Sequence, residues 1–347
     1  MKRKLIFLVW TIAWSAGLTL GVLELGVRSG LIRHSFQMWE VVYQLDPATL
    51  YGIKPRSHPD IGPFGNRRTG RAGPAHPTRR LLFLGDSFVY GTNVKREETA
   101  PAALERLLGP DWEVLNLGVA GYGPDQSLAQ LQAFGLALKP RAVVLMLFPS
   151  NDFNDLYKNQ LFTAAPDGTL QRNPHNALAS RMPRLRSALI WDLVLHQWAG
   201  CPSRYVDIYD SFFHDHYDYG LIKEPDSQAS QYKRAVMRGV LKTFRDTLRQ
   251  REIPFLVIIV PSYEAMVTPA TFDAQGVPPD RHLVNEDAAA TLCREEGIAA
   301  LNLYPELLPL PDRAAWYDPA DHHLSPAGYQ AVAERVRQAL RQQGVAP

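Results

Sequence analysis

The stretch LLFLGDSFVYG, residues 81–91, places four apolar residues directly before Gly85, Asp86 and Ser87. A short apolar run that ends on small polar residues is typical of a buried strand and the turn that follows it. Ser87 then either caps the next helix or serves as a nucleophile at the carboxyl end of the strand. The rest of the chain decides between these two interpretations.

Apolar strands and amphipathic helices alternate along the chain from this stretch onward. Predominantly apolar, strand-like runs lie at 80–85, 112–118, 142–148, 253–260 and 298–303. Segments with helical spacing of apolar residues lie at 96–109, 124–138, 231–251, 281–297 and 325–343. Strands that are apolar on both faces indicate a parallel sheet covered by helices on both sides. We therefore expect an α/β fold, a three-layer α/β/α sandwich of flavodoxin-like type, over residues 79–345. An aromatic-, His- and Pro-containing segment at 153–227 interrupts the alternation and is expected to be a lid-like insertion.

The N-terminal residues 1–27 combine a basic start with a long apolar run. No charged residue occurs from Leu5 to Leu23, and at about 1.5 Å per residue a helix over this run is about 28 Å long, close to the ~30 Å hydrocarbon core. We expect an uncleaved signal anchor, with a cleaved signal peptide as the alternative. The basic cluster at 2–4 keeps the N-terminus inside, so the remaining chain faces the periplasm or the exterior. Residues 28–78, rich in Pro, Gly and Arg, are expected to form an irregular arm.

Composition excludes several classes of partner and cofactor. The formal net charge is +2, which is too small to indicate a nucleic-acid partner. Cys201 and Cys293 lack metal-ligand spacing and are compatible with either a disulfide or two buried thiols. Neither a dinucleotide-binding fingerprint nor a P-loop occurs. We expect no cofactor and no metal, and the sequence leaves the oligomeric state open.

Four polar segments follow predicted strands or precede the last helix, where residues of an open α/β sheet converge on one crevice. Ser87 has the chemistry of a nucleophile, and His323 can serve as its base with Asp321 orienting the ring. The backbone N–H groups of Ser87 and Gly121 and the side chain of Asn151 are candidate oxyanion donors. The G-x-S-x-G elbow of α/β-hydrolases is absent, since position 89 is Val. The residue types therefore predict acyl transfer through a serine site of another kind.

The segments GDSFVYG, NLGVAGYG, PSND and DHHLSPAGY resemble, in order and spacing, the conserved blocks of the SGNH (GDSL-type) hydrolase superfamily. The resemblance covers residues 79–343, and the membrane-anchored bacterial branch is the most similar. It implies that Ser87 is the nucleophile, Gly121 and Asn151 are oxyanion donors, and His323 is the base.

Two features depart from the family pattern. Many members carry Asp three residues before the histidine, whereas this chain has Ala320 there. We expect Asp321 to take that role, with Asp318 as a weaker substitute. His322 adjoins His323, but neighbouring residues of an extended segment point in opposite directions, so only one faces Ser87. The family match selects His323.

The second departure lies in the third block, which here reads FPSND and lacks the usual leading Gly. Asp86 and Asp152 are expected to be supporting residues, and charge at a helix N-terminus is enough to explain Asp86. The predicted function is a serine esterase that acts on an O-acyl group of a carbohydrate or lipid. An O-acyltransferase that acetylates a cell-surface polysaccharide with the same residues is the alternative. A catalytically silent glycan-binding or assembly protein is an alternative of another class.

Overall fold

The computed structural model describes residues 2–29, 42–46, 48–70, 78–165, 167–173, 219–274 and 276–346. Most of the expected insertion, at 174–218, lies outside the described residues. So does Cys201, one of the two cysteines of the possible disulfide; the other, Cys293, is buried.

Five parallel strands form the central sheet, in the spatial order β4-β3-β5-β8-β9. Of two short antiparallel hairpins, β1–β2 precedes the sheet in sequence and β6–β7 lies between β5 and β8. The strands are β1 (Tyr43–Asp46), β2 (Leu50–Ile53), β3 (Arg79–Leu84), β4 (Trp112–Asn116), β5 (Ala142–Leu147), β6 (Phe162–Ala164), β7 (Leu170–Arg172), β8 (Phe255–Ile259) and β9 (Ala300–Asn302). Counted along the chain, the sheet order is 2-1-3-4-5, the flavodoxin-like arrangement.

The helices are α1 (Lys2–Arg28), α2 (Ser87–Tyr90), α3 (Ala100–Leu108), α4 (Pro124–Ala133), α5 (Pro149–Asn159), α6 (Tyr219–Lys223), α7 (Gln228–Arg249), α8 (Tyr263–Met266), α9 (Ala270–Ala274), α10 (Val284–Glu295), α11 (Tyr304–Leu307) and α12 (Pro326–Gln342). Five of these helices begin and end close to the expected segments, namely α3, α4, α7, α10 and α12. Residues 153–159, expected to open the insertion, instead complete helix α5.

The sheet separates two hydrophobic clusters. Successive side chains of β5 alternate between them, because neighbouring residues of a strand point to opposite faces: Val143 and Leu145 join one cluster, and Val144 and Met146 join the other. Helices α4, α5, α7 and α10 contribute to the first cluster, and α3 and α12 to the second. The predicted three-layer α/β/α sandwich is confirmed.

Chain order reverses between β3 and β5, which are neighbours in the sheet. In open α/β sheets the crevice outside such a switch point is the usual ligand site. Ser87 follows β3 and Asn151 follows β5. The topology therefore brings the first and third of the predicted polar segments to this crevice.

The N-terminal region contains more regular structure than expected. Helix α1 is long and apolar enough to cross a membrane, a property that anchors and signal sequences share. The arm at 28–78 contains the β1–β2 hairpin, and its residues Tyr51, Ile53 and Ile61 are buried in the first cluster. The arm thus packs onto the domain as part of its core.

Candidate active site

Ser87 and His323 are in hydrogen-bond contact although 236 positions separate them in sequence. Ser87 is the first residue of α2, at the carboxyl end of β3. Its Oγ lies 2.9 Å from Nε2 of His323, within the range for proton transfer between a nucleophile and its base. His323 lies in the loop that leads into α12.

Three contacts fix this loop beside Ser87. The Phe88 ring, next in sequence to Ser87, packs against the His323 ring with centroids 4.6 Å apart. The Asn93 side chain donates a hydrogen bond to the Leu324 carbonyl at 3.0 Å. Leu324 also pairs with Tyr317 in an antiparallel bridge. The His323 imidazole is therefore positioned by Phe88, the neighbour of Ser87, and by the contacts of Leu324 in its own loop.

Asp321 contacts His323 through its carboxylate and its backbone. Asp321 Oδ2 lies 3.3 Å from His323 Nδ1, and the Asp321 carbonyl oxygen lies 3.2 Å from the same nitrogen. Oδ1 accepts the His323 backbone N–H at 3.1 Å. Two acceptors beside Nδ1 favour a proton there, which leaves Nε2 as the base directed at Ser87. The Asp321 side chain is 37% exposed, unlike the buried acid of a serine-protease triad.

The loop after β4 approaches the same helix. Gly118 lies so close to α2 that a Cβ there would be 2.3 Å from the Tyr90 nitrogen. Val119 and Tyr122 close a turn through a 3.0 Å backbone hydrogen bond, and Gly121 has a φ of +78°. Positive φ at this place is the mark of a type II turn and favours glycine. The N–H groups of Ser87 and Gly121 donate hydrogen bonds to none of the described residues.

Asn151 lies beside Asp86, the residue before Ser87. Asp86 Oδ1 accepts the Phe88 N–H at 2.9 Å and so caps α2. Burial raises the pKa of Asp86 to about 6, and the Phe88 N–H, the His323 charge and the Asn151 side chain oppose that rise. Both Asn151 and His323 are therefore neighbours of this carboxyl. Ser87, Gly121, Asn151, Asp321 and His323, predicted from dispersed segments, lie at the carboxyl edge of the sheet.

Asp152 lies behind this edge and has a structural contact. Its Oδ2 accepts the Phe148 N–H at 2.7 Å at the start of α5. Burial raises the pKa of Asp152 well above its usual value, and the nearby Asp86 and Asp155 raise it further. Among the described residues, no group of three His, Cys, Asp or Glu side chains is placed to hold a metal ion.

A second histidine–carboxylate pair, not predicted from the sequence, adjoins the first. His322 Nδ1 lies 2.6 Å from Oε1 of the buried Glu264, and its ring stacks on Tyr263 at 4.4 Å. His322 has a φ of +65°, so the segment is not extended as expected. Glu264 lies in α8, the helix that follows β8, and the rule that polar residues after strands converge could have identified it.

The model of the GDSL-like lipase/acylhydrolase family matches residues 83–331 of the chain. The chain belongs to this family. It is an ester hydrolase by that membership, and the matched range contains every predicted site residue. The β1–β2 hairpin lies before the matched range.

Several solved structures are similar to this chain at low sequence identity. A G-D-S-L family protein from Desulfitobacterium hafniense DCB-2 is 15% identical, with 75% of this chain and 99% of that chain covered and a TM-score of 0.41. The lipase/acylhydrolase from Enterococcus faecalis is 13% identical, with 76% and 96% covered and a TM-score of 0.42. A two-domain esterase active on acetylated mannans is 13% identical, with 78% and 51% covered and a TM-score of 0.39. No curated protein matches the chain.

Proposed function

We propose that this ester hydrolase works through Ser87, His323 and Asp321 and forms an acyl-enzyme. The 2.9 Å contact between Ser87 Oγ and His323 Nε2 carries the proposal. It joins a hydroxyl at a strand end to a base on a distant loop, which a helix-capping serine does not require. The same contact argues against a catalytically silent protein.

In the first step Ser87 Oγ attacks the ester carbonyl while His323 Nε2 takes its proton. Asp321 stabilises the charged imidazole without becoming protonated. The N–H groups of Ser87 and Gly121 and the Asn151 amide bind the oxyanion, and loss of one such donor typically costs about 10²–10³ in rate. The alcohol leaves with the proton held by His323. Water then attacks the acyl carbon while His323 takes its proton, the bond from the acyl carbon to Ser87 Oγ breaks, Oγ recovers the proton from His323, and the carboxylic acid leaves.

The substrate class follows from where the chain is held. We infer that α1 anchors the protein, with the basic residues 2–4 inside and the hydrolase domain on the periplasmic or extracellular side. An anchored enzyme meets esters that are carried on neighbouring lipids or on surface carbohydrate. An O-acyl group on one of these is the proposed substrate.

The test is hydrolysis of p-nitrophenyl acetate by the full-length chain in detergent, compared with Ser87→Ala. We expect kcat to fall by about 10³-fold or more, since removal of a triad nucleophile leaves only binding and oxyanion stabilisation. Ser57→Ala is the matched control, because the Ser57 hydroxyl has no hydrogen-bond partner among the described residues. Equal turnover by native protein and Ser87→Ala would refute the proposal.

Transfer to a sugar is the alternative fate of the acyl group, and the same assay distinguishes it. If Ser87-dependent release of p-nitrophenol rises several-fold when an unacylated polysaccharide is added, and the acyl group appears on it, the enzyme is an acyltransferase. Release that is unchanged by the polysaccharide supports hydrolysis.

A further inference from the structure

The peptide unit between Ala120 and Gly121 has a hydrogen bond on the side opposite its N–H group. The Tyr51 hydroxyl donates to the Ala120 carbonyl oxygen at 3.0 Å. A planar trans peptide directs its C=O and its N–H in opposite directions. The Gly121 N–H, a proposed oxyanion donor, therefore points away from Tyr51, and the Tyr51 hydroxyl restrains its direction.

A turn of this kind needs such a restraint. Type I and type II turns differ in the orientation of the central peptide, and glycine at the third position is compatible with both. In the turn from Val119 to Tyr122, a flip of the Ala120–Gly121 peptide would direct a carbonyl, rather than an N–H, to the face now occupied by the N–H. The hydrogen bond from Tyr51 is lost in the flipped state, so it favours the observed orientation.

Tyr51 is itself held firmly. Its side chain is 1% exposed and its ring packs edge-on against Tyr122, with centroids 5.2 Å apart. Its backbone carbonyl accepts the Tyr122 hydroxyl at 2.5 Å. Tyr43 of β1 also packs edge-on against the Tyr51 ring, with centroids 5.9 Å apart. A donor with so little freedom can transmit its position to the peptide that it contacts.

We propose that Tyr51 is a positioning residue for the oxyanion hole, supplied by the arm from outside the part of the chain that matches the family. Its hydroxyl holds the Ala120–Gly121 peptide in the orientation that presents the N–H. It also polarises that peptide, because a hydrogen bond accepted at C=O strengthens the N–H as a donor. The inference depends on the proposed function, since it requires Gly121 to bind the oxyanion.

The test compares Tyr51→Phe with Tyr232→Phe in the full-length protein in detergent. Each substitution removes one hydroxyl that donates to a backbone carbonyl and keeps the ring, but the Tyr232 hydroxyl donates to the Phe162 carbonyl and not to the Ala120–Gly121 peptide. For p-nitrophenyl acetate we expect Tyr51→Phe to lower kcat about three- to tenfold, less than the effect of deleting a donor, with KM within about twofold of native. We expect Tyr232→Phe to keep kcat within about twofold. Thermal midpoints report the loss of stability in both variants.

A second readout does not depend on the ester chosen. Diethyl p-nitrophenyl phosphate forms a bond from Ser87 Oγ to phosphorus and releases p-nitrophenolate, with the phosphoryl oxygen in the oxyanion hole. We expect its inactivation rate to fall in Tyr51→Phe by the same factor as kcat. A kcat for Tyr51→Phe within twofold of native, or equal losses in both variants, would overturn the inference while Ser87→Ala remains inactive. If Ser87→Ala is as active as native, the proposed function fails, and the inference fails with it.

Discussion

At the scale of single residues, the contact between Asp321 and His323 differs from that of a buried triad. The carboxylate is 37% exposed and reaches Nδ1 at 3.3 Å, and the Asp321 backbone carbonyl reaches the same nitrogen at 3.2 Å. Water screens the exposed charge of the Asp321 carboxylate. The Asp321 backbone carbonyl remains in place when the side chain is substituted. The side chain of Asp321 therefore supplies only part of what orients and stabilises the imidazole.

Asp321→Asn is expected to reduce kcat by about 10- to 100-fold, compared with about 10⁴ for the buried acid of a serine protease. Asp318→Asn is the control, because Asp318 Oδ1 accepts the Ala320 N–H at 2.9 Å and an Asn oxygen can do the same. Steady-state hydrolysis of p-nitrophenyl acetate measures both variants. A larger loss in Asp318→Asn than in Asp321→Asn would assign the supporting role to the other acid.

At the scale of secondary-structure elements, the first turn of α4 carries a buried acid that opposes folding at neutral pH. Burial raises the pKa of Asp125 to about 7, against the hydrogen bond from Asn159. The folded state therefore binds this proton more tightly than the unfolded chain. The resulting stabilisation is fully present below pH ~4 and is lost as pH rises through about 7.

The Asn side chain of Asp125→Asn does not titrate. The thermal midpoint of the variant minus that of the native protein should therefore increase from pH 5 to pH 8. The corresponding change in unfolding free energy is on the order of 2 kcal/mol. The exposed Asp167 is the control, because a backbone hydrogen bond from Thr169 lowers its pKa, and Asp167→Asn should show no such gain. A difference between Asp125→Asn and native that stays constant with pH would contradict this account.

Sequence predicts those helices and strands that are specified by the apolar pattern of their own residues. Strands such as β5 are apolar throughout because helices cover both faces, so they are visible without any knowledge of their partners. The β1–β2 hairpin cannot be predicted in this way, because its four-residue strands form through contacts with other segments, such as that between Tyr51 and Tyr122. Likewise the site residues lie in segments with a recognisable pattern. The pairing of Glu264 with His322 spans 58 positions, and although Glu264 follows a strand, no local pattern predicts that these two residues are partners.

At the scale of the whole molecule, the arm connects the N-terminal helix to the active site. Residues after α1 lead into the hairpin that carries Tyr51, and Tyr51 contacts the turn at Gly121. A chain cleaved soon after α1 would keep that hairpin, so both an anchor and a signal peptide are compatible with the site. The two differ in whether the mature protein retains its apolar helix.

Retention of that helix is the expected outcome. When the full-length gene is expressed in a bacterium, the protein should stay in the membrane fraction after carbonate washing, and its mature N-terminus should lie before residue 28. The domain should be digested by protease added to spheroplasts, because the positive charges of Lys2, Arg3 and Lys4 hold the N-terminus inside. Replacing all three with Glu should increase the protease-protected fraction, since the charge difference that sets orientation is then reversed. A carbonate-soluble protein whose N-terminus begins beyond residue 28 would instead identify the helix as a cleaved signal peptide.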